Sequence, residues 1–104
     1  MYARQTTIEI DPARLDEVIA DLEENDVPEF KKLDGFRGFL TLVDRKSGKL
    51  VGISFWATDD QMKNSEAVVA GARERAARTG GAETEPLPER LEVALDVFVP
   101  RAKR

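Results

Sequence analysis

A six-residue polar segment, Asp44-Arg45-Lys46-Ser47-Gly48-Lys49, separates two β-rich runs near the middle of the chain, Phe36 to Val43 and Leu50 to Ala57. Gly48 makes positive φ cheap, so the segment predicts a β-hairpin. Apolar side chains fall on both faces of this hairpin: Phe36, Leu40 and Leu42 on one, Phe39 and Val43 on the other. A single layer of helices covers only one face of such a sheet, so the other face wants a cover of its own.

On either side of the hairpin the hydrophobic period changes from 2 to 3.6 and back. Tyr2 to Ile10 alternates as a strand, with Tyr2, Thr6, Ile8 and Ile10 on one face and Arg4 among them. Asp11-Pro12 signals a helix start, since Asp11 can cap free N–H groups and Pro12 gives up no helical bond there. Leu15, Val18, Ile19 and Leu22 form the stripe of that helix. It is expected to fray near Asn25-Asp26, because Pro28 disfavours helix at Val27 and the acids oppose the C-terminal dipole. Phe30 and Leu33 continue the apolar contact through a short second turn. After the hairpin, Thr58-Asp59-Asp60 caps a helix running to about Arg78, stopped by Gly80-Gly81, with Met62, Val68, Val69, Ala72 and Ala76 as its arc. Ala82 to Pro88 reads as a loop, and alternation from Leu91 to Val99 predicts the last strand.

Strand, helix, hairpin, helix, strand is the order of the ferredoxin-like βαββαβ fold, an α+β class with helices on one face of a four-stranded antiparallel sheet. With 104 residues the chain suits one domain, residues 1–104, around one core. A second copy packed on the open sheet face would make it a homodimer.

Composition removes several functions. The chain has no cysteine and no histidine, which excludes disulfides, thiolate metal sites, imidazole bases, Ser-His-Asp triads and histidine-ligated haem. A formal charge of -4 disfavours nucleic acid as a partner. The basic tail Arg101-Ala102-Lys103-Arg104 reads as a solvated end. No apolar run approaches the roughly 18 residues of a membrane span, the first residues lack a signal-peptide stretch, and the absence of cysteine makes a cytoplasmic location the expectation. Asp59 and Asp60 read as helix-start partners, and Glu23, Glu24, Asp26 and Glu29 as a solvated acidic turn without the spacing of a calcium loop.

The element order, Gly35-Phe36-Arg37-Gly38-Phe39 at the second strand and Ser54-Phe55-Trp56-Ala57-Thr58-Asp59-Asp60 before the second helix resemble the antibiotic biosynthesis monooxygenase family of dimeric α/β barrels. The resemblance implies a homodimer with a pocket between sheet and helices in each subunit. It also implies oxidation of a small aromatic such as a quinol or anthrone by O₂, with no metal, flavin or other cofactor. A haem-degrading branch of the family takes an iron ligand from the second helix, and Gln61 to Arg78 contains no histidine. By position Trp56 matches the family tryptophan. Asn64 stands in for the asparagine that such enzymes place near it, because Gly52 and Ser54 occupy its neighbouring strand positions. Tyr2 is the only tyrosine.

Trp56 beside Gly52 and Ser54, opposite the small side chains Ser65, Ala72 and Ala76, can wall a cavity for a planar ligand. Equally, Phe30, Leu33, Phe36 or Phe39 can fill that space and make Trp56 ordinary core. The expected site is therefore Trp56 and Asn64 as catalytic residues, with Ser54, Ser65, Phe39 and Arg37 contacting the substrate. Three functional classes stand: an oxygenase, a non-catalytic small-molecule binder, and a dimeric stress-associated interaction module with a filled core.

Overall fold

The computed structural model describes residues 1–100; the tail Arg101-Ala102-Lys103-Arg104 lies outside the described residues. β1 spans Tyr2–Glu9, followed by a 3₁₀ turn Pro12–Arg14, α1 at Leu15–Asp21, a π-helical turn Leu22–Asp26 and α2 at Val27–Phe30. β2 (Phe36–Asp44) and β3 (Lys49–Trp56) form the hairpin, then α3 (Asp59–Asn64), α4 (Glu66–Thr79) and β4 (Leu87–Glu92) complete the order. The sheet runs β2-β3-β1-β4 with every neighbouring pair antiparallel. The fold is thus the α+β, ferredoxin-like βαββαβ arrangement that the sequence predicts.

Local chemistry sets the helix boundaries. Asp11 accepts a hydrogen bond from the Ala13 N–H at 3.0 Å, and Thr58 Oγ1 accepts one from the Gln61 N–H at 3.1 Å. The expected fraying at Asn25-Asp26 does not occur. Instead the helix widens by one residue, the Val27 N–H reaching the Leu22 carbonyl, so that Pro28 falls in the first turn of α2 where its missing N–H costs nothing. The acidic turn is not wholly solvated either: Asp26 is buried and its carboxylate pairs with Arg75 of α4, which holds the Arg75 guanidinium above its ordinary pKa.

The sheet differs from expectation at two places. A β-bulge at Arg37 puts Phe36 opposite Trp56 and Gly38 opposite Phe55. It turns Phe36 to the helix-covered side with Phe39, away from Leu40 and Leu42. The last strand lies at Leu87–Glu92, starting inside the expected loop and overlapping the expected Leu91 to Val99 only at Leu91 and Glu92. Its register sets Leu87 against Thr7 and Glu92 against Tyr2, and the Val93 N–H to Met1 carbonyl bond ends the pairing. The alternating residues beyond have no neighbouring strand among the described residues, and Leu95 and Val97 are 83% and 79% exposed.

At the hairpin turn Gly48 has φ of 82°, and a Cβ there would lie 1.8 Å from the Ile10 carbonyl oxygen. Gly48→Ala is expected to destabilise the protein by more than the ~1–2 kcal/mol of left-handed backbone strain alone. Urea unfolding reads this directly, and an unshifted midpoint would refute it.

Candidate functional site

The covered face of the sheet carries Tyr2, Arg4, Thr6 and Ile8 from β1 and Leu50, Gly52, Ser54 and Trp56 from β3, by the alternation of each strand and their mutual register. Helices pack on this face, yet the core does not close in one piece. Ile8, Ile10, Leu15, Val18, Leu22, Leu50 and Ala76 form one buried cluster, while Phe30, Trp56, Met62, Val69 and Ala72 form another. A cavity of about 40 Å³ lies between them, inside a cleft of about 410 Å³ when space open to solvent is counted. Leu22, Leu50 and Ala76 line it from the first cluster, Phe30, Val69 and Ala72 from the second.

Missing bulk makes the cavity. Gly52 has no side chain, and an added Cβ there would meet only the Phe39 ring, at 3.4 Å. Ala72 and Ala76 from α4 are equally short. The polar groups at the wall are Arg4, Thr6, Ser54 and Arg73, and no carboxylate lines the space.

Of the residues expected at the site, Ser54 and Phe39 line this cavity. Trp56 does not. It is fully buried, with Phe36 edge-on at 5.5 Å between ring centroids, and its Nε1–H donates to Ser54 Oγ at 2.9 Å. The indole therefore packs as core and fixes Ser54, whose own O–H stays free to donate. Ser65 is buried but committed, accepting from Arg4 Nη1 at 3.0 Å and donating to the Met62 carbonyl at 2.6 Å. Asn64 is exposed at the end of α3, in a surface hollow with Leu33, Asp34 and Gln61, and Arg37 is exposed at the β-bulge. The structure does not bring Asn64 or Arg37 to the cavity.

Sequence reasoning missed Arg4 and Arg73. Arg4 is 2% exposed; Nε meets Glu66 Oε2 at 2.9 Å and Nη2 donates to the Met62 carbonyl at 2.6 Å. Burial lowers its pKa, and Glu66 opposes that shift; an arginine stays protonated under such conditions. Arg73 Nη1 binds the other Glu66 oxygen, Oε1, at 3.2 Å. The signals were present: Arg4 interrupts an apolar strand face, and Arg73 lies four residues after Val69 and three before Ala76 on one helix face.

No protein-family model matches the chain. Over 77 residues, 74% of this chain, it is 42% identical to the uncharacterized protein Rv2558 of Mycobacterium tuberculosis, and those residues are 33% of that relative. The chain thus spans about a third of that curated relative's length. Among solved structures, the monooxygenase ActVA-Orf6 of Streptomyces coelicolor, in complex with nanaomycin D, superposes with a TM-score of 0.76 at 13% identity, covering 95% of this chain and 92% of that one. This is the fold of the antibiotic biosynthesis monooxygenases. The haem-degrader MhuD of Mycobacterium tuberculosis, with two haems in its active site, shares it, with a TM-score of 0.71 at 22% identity over 94% of this chain and all of that one. The residues here do not fit haem: no histidine or cysteine exists to ligate iron, and the enclosed space is far smaller than a tetrapyrrole.

Ser54→Ala is expected to strand the buried indole N–H and cost about 1–3 kcal/mol. In a Trp56→Phe background, which has no N–H to strand, most of that cost should vanish. Urea unfolding of the four proteins gives the coupling, and equal costs in both backgrounds would show that the bond contributes nothing.

Proposed function

We propose that the chain is a cofactor-independent monooxygenase acting on a small electron-rich aromatic of the quinol or anthrone kind, bound in the cavity between the two core clusters. The observation that carries this reading is the cavity wall, with rings and aliphatic groups on most sides and Ser54, its oxygen held by the Trp56 N–H and its own O–H available to donate. Phe30 and Phe39, with centroids 5.6 Å apart, offer aromatic faces to a planar guest.

In this reading the substrate supplies the electrons. Its ionised ring passes one electron to O₂, the radical pair combines into a C–O bond, and the resulting hydroperoxide loses water. An anthrone's ring CH₂ and O₂ thereby become C=O and H₂O with both C–H bonds broken, and a quinol's ring C–H and O₂ give a hydroxyquinone and H₂O, in neither case with an external reductant. The protein contributes orientation, exclusion of water and a hydrogen bond from Ser54 to the phenolate oxygen, which favours the ionised form. No carboxylate lines the cavity, so the phenolic proton leaves to water and the wall stabilises the anion. Trp56 acts here as a positioning residue, holding Ser54.

The active form in this proposal is a homodimer joined through the sheet face away from the helices. Leu40, Leu42, Leu87 and Leu91 are exposed on strands of that sheet, with Leu95, Val97, Phe98 and Val99 exposed just beyond it. A monomer would leave this apolar surface in water.

Oxygen uptake with a panel of quinols and anthrones tests the chemistry. Uptake is expected to rise with pH through the substrate's own pKa, and Gly52→Val, which fills the cavity, should lose most of it while keeping the far-ultraviolet dichroism. Saturable binding without uptake would leave a binding protein and refute the enzyme. Sedimentation at micromolar concentration should give the dimer mass, and a monomer would refute the interface.

A further inference from the structure

We propose that the cavity is an anion site, its ligand carrying a carboxylate that docks against the Nε and Nη2 edge of Arg73. The Arg73 side chain is only 12% exposed, and both of those nitrogens are buried without a hydrogen-bond partner. Ionised donors left unpaired away from water carry a large desolvation cost, so a ligand that pairs them is favoured over an apolar one of the same size.

Charge balance gives the sign. Glu66 bridges two guanidinium groups, Oε2 to Arg4 Nε at 2.9 Å and Oε1 to Arg73 Nη1 at 3.2 Å. Two positive groups and one negative leave one positive charge beside a space that no carboxylate lines. Arg4 is not the anchor, because Nε, Nη1 and Nη2 are already spent on Glu66, Ser65 and the Met62 carbonyl. Arg73 has one of its three nitrogens engaged, and the free pair is the side edge of the fork, which matches the two oxygens of a carboxylate.

Size limits the rest of the ligand. At roughly 10–15 Å³ per water, the 40 Å³ of the cavity holds about three water-sized groups. That suits a carboxylate and the edge of one ring, with the remainder in the solvent-open part of the cleft. The ligand class is therefore a single-ring quinol carrying a carboxylate, a dihydroxyaryl acid. This deepens the proposed oxidation and rests on the same cavity, with Arg73 fixing the acid and Ser54 meeting the phenol.

The test compares 4-hydroxybenzoate with 4-hydroxybenzamide, equal in shape and different in charge, by titration calorimetry on the whole chain. The acid is expected to bind and the amide to bind on the order of ten- to a hundredfold more weakly, the range for a lost hydrogen bond to a charged group. Arg73→Met should remove the difference, and Arg73→Lys, which keeps charge without the fork, should restore part of it. Should Arg73→Met not fold, the wild type decides: 4-hydroxybenzoate should shift the ¹⁵Nε resonance of Arg73 and the amide should not. Equal affinity for acid and amide, no binding of either, or acid binding unaffected in Arg73→Met with an unmoved Nε resonance would each overturn the site. Acid binding with the Nε shift, together with no oxygen uptake from the quinol acid 2,5-dihydroxybenzoate, would support the anion site and refute only the oxidation.

Discussion

A guanidinium buried on the helix-covered face of the central strand governs much of what surrounds it. Arg4 cannot be solvated there, so the fold has to supply its partners, and it draws all of them from the junction of α3 and α4. Taking the Met62 carbonyl, together with the Ser65 hydroxyl, removes the acceptor that a continuous helix would offer to the Glu66 N–H. The expected helix from Asp59 to Arg78 accordingly divides at Ser65. The division sets Glu66 where one carboxylate reaches both Arg4 and Arg73. A charge on β1 thus fixes a helix break, and the break fixes which edge of Arg73 remains free.

The void itself adds little to the cost of the unpaired Arg73 nitrogens beside it. At about 24 cal/mol per Å³, an empty 40 Å³ costs on the order of 1 kcal/mol, a minor part of the stability of an ordinary domain. Filling it would take one larger side chain at Gly52, Ala72 or Ala76. Each of these is a small residue, in a core otherwise closed by Phe30, Trp56 and Met62. A wall built from small residues on two separate elements leaves space without strain on either.

Much of the fold was legible in the sequence because caps and periods are local. Asp11, Thr58 and Gly48 act as their chemistry predicts, and the order of elements follows from the two hydrophobic periods. The bulge at Arg37 was not legible, since one inserted residue reverses the facing of Phe36 without altering composition. For the site, the small residues Gly52, Ser54, Ala72 and Ala76 correctly indicated room between sheet and helix. They did not indicate on which side of Ser54 the room lies. That depended on Phe36 turning inward to pack on Trp56, a consequence of the same bulge. Asn64 was named only as a stand-in for the family asparagine, and it lies exposed at the end of α3.

The last strand shows what alternation does and does not report. A period of two says that successive side chains meet different surroundings, and it names no neighbour. Leu87 to Glu92 alternates less clearly than the residues after it, yet it forms β4 because β1 presents a free edge opposite it. Pairing proceeds antiparallel along that edge until Val93 meets Met1. Strand propensity therefore yields to the supply of unpaired backbone: the weaker pattern took the edge within reach, and the stronger pattern of Leu95, Val97 and Val99 extends past it. The two faces of the sheet divide in the same way. One face has its partners within the chain and closes around a largely apolar cavity, while the other leaves its leucines on strands whose helices all lie on the opposite side.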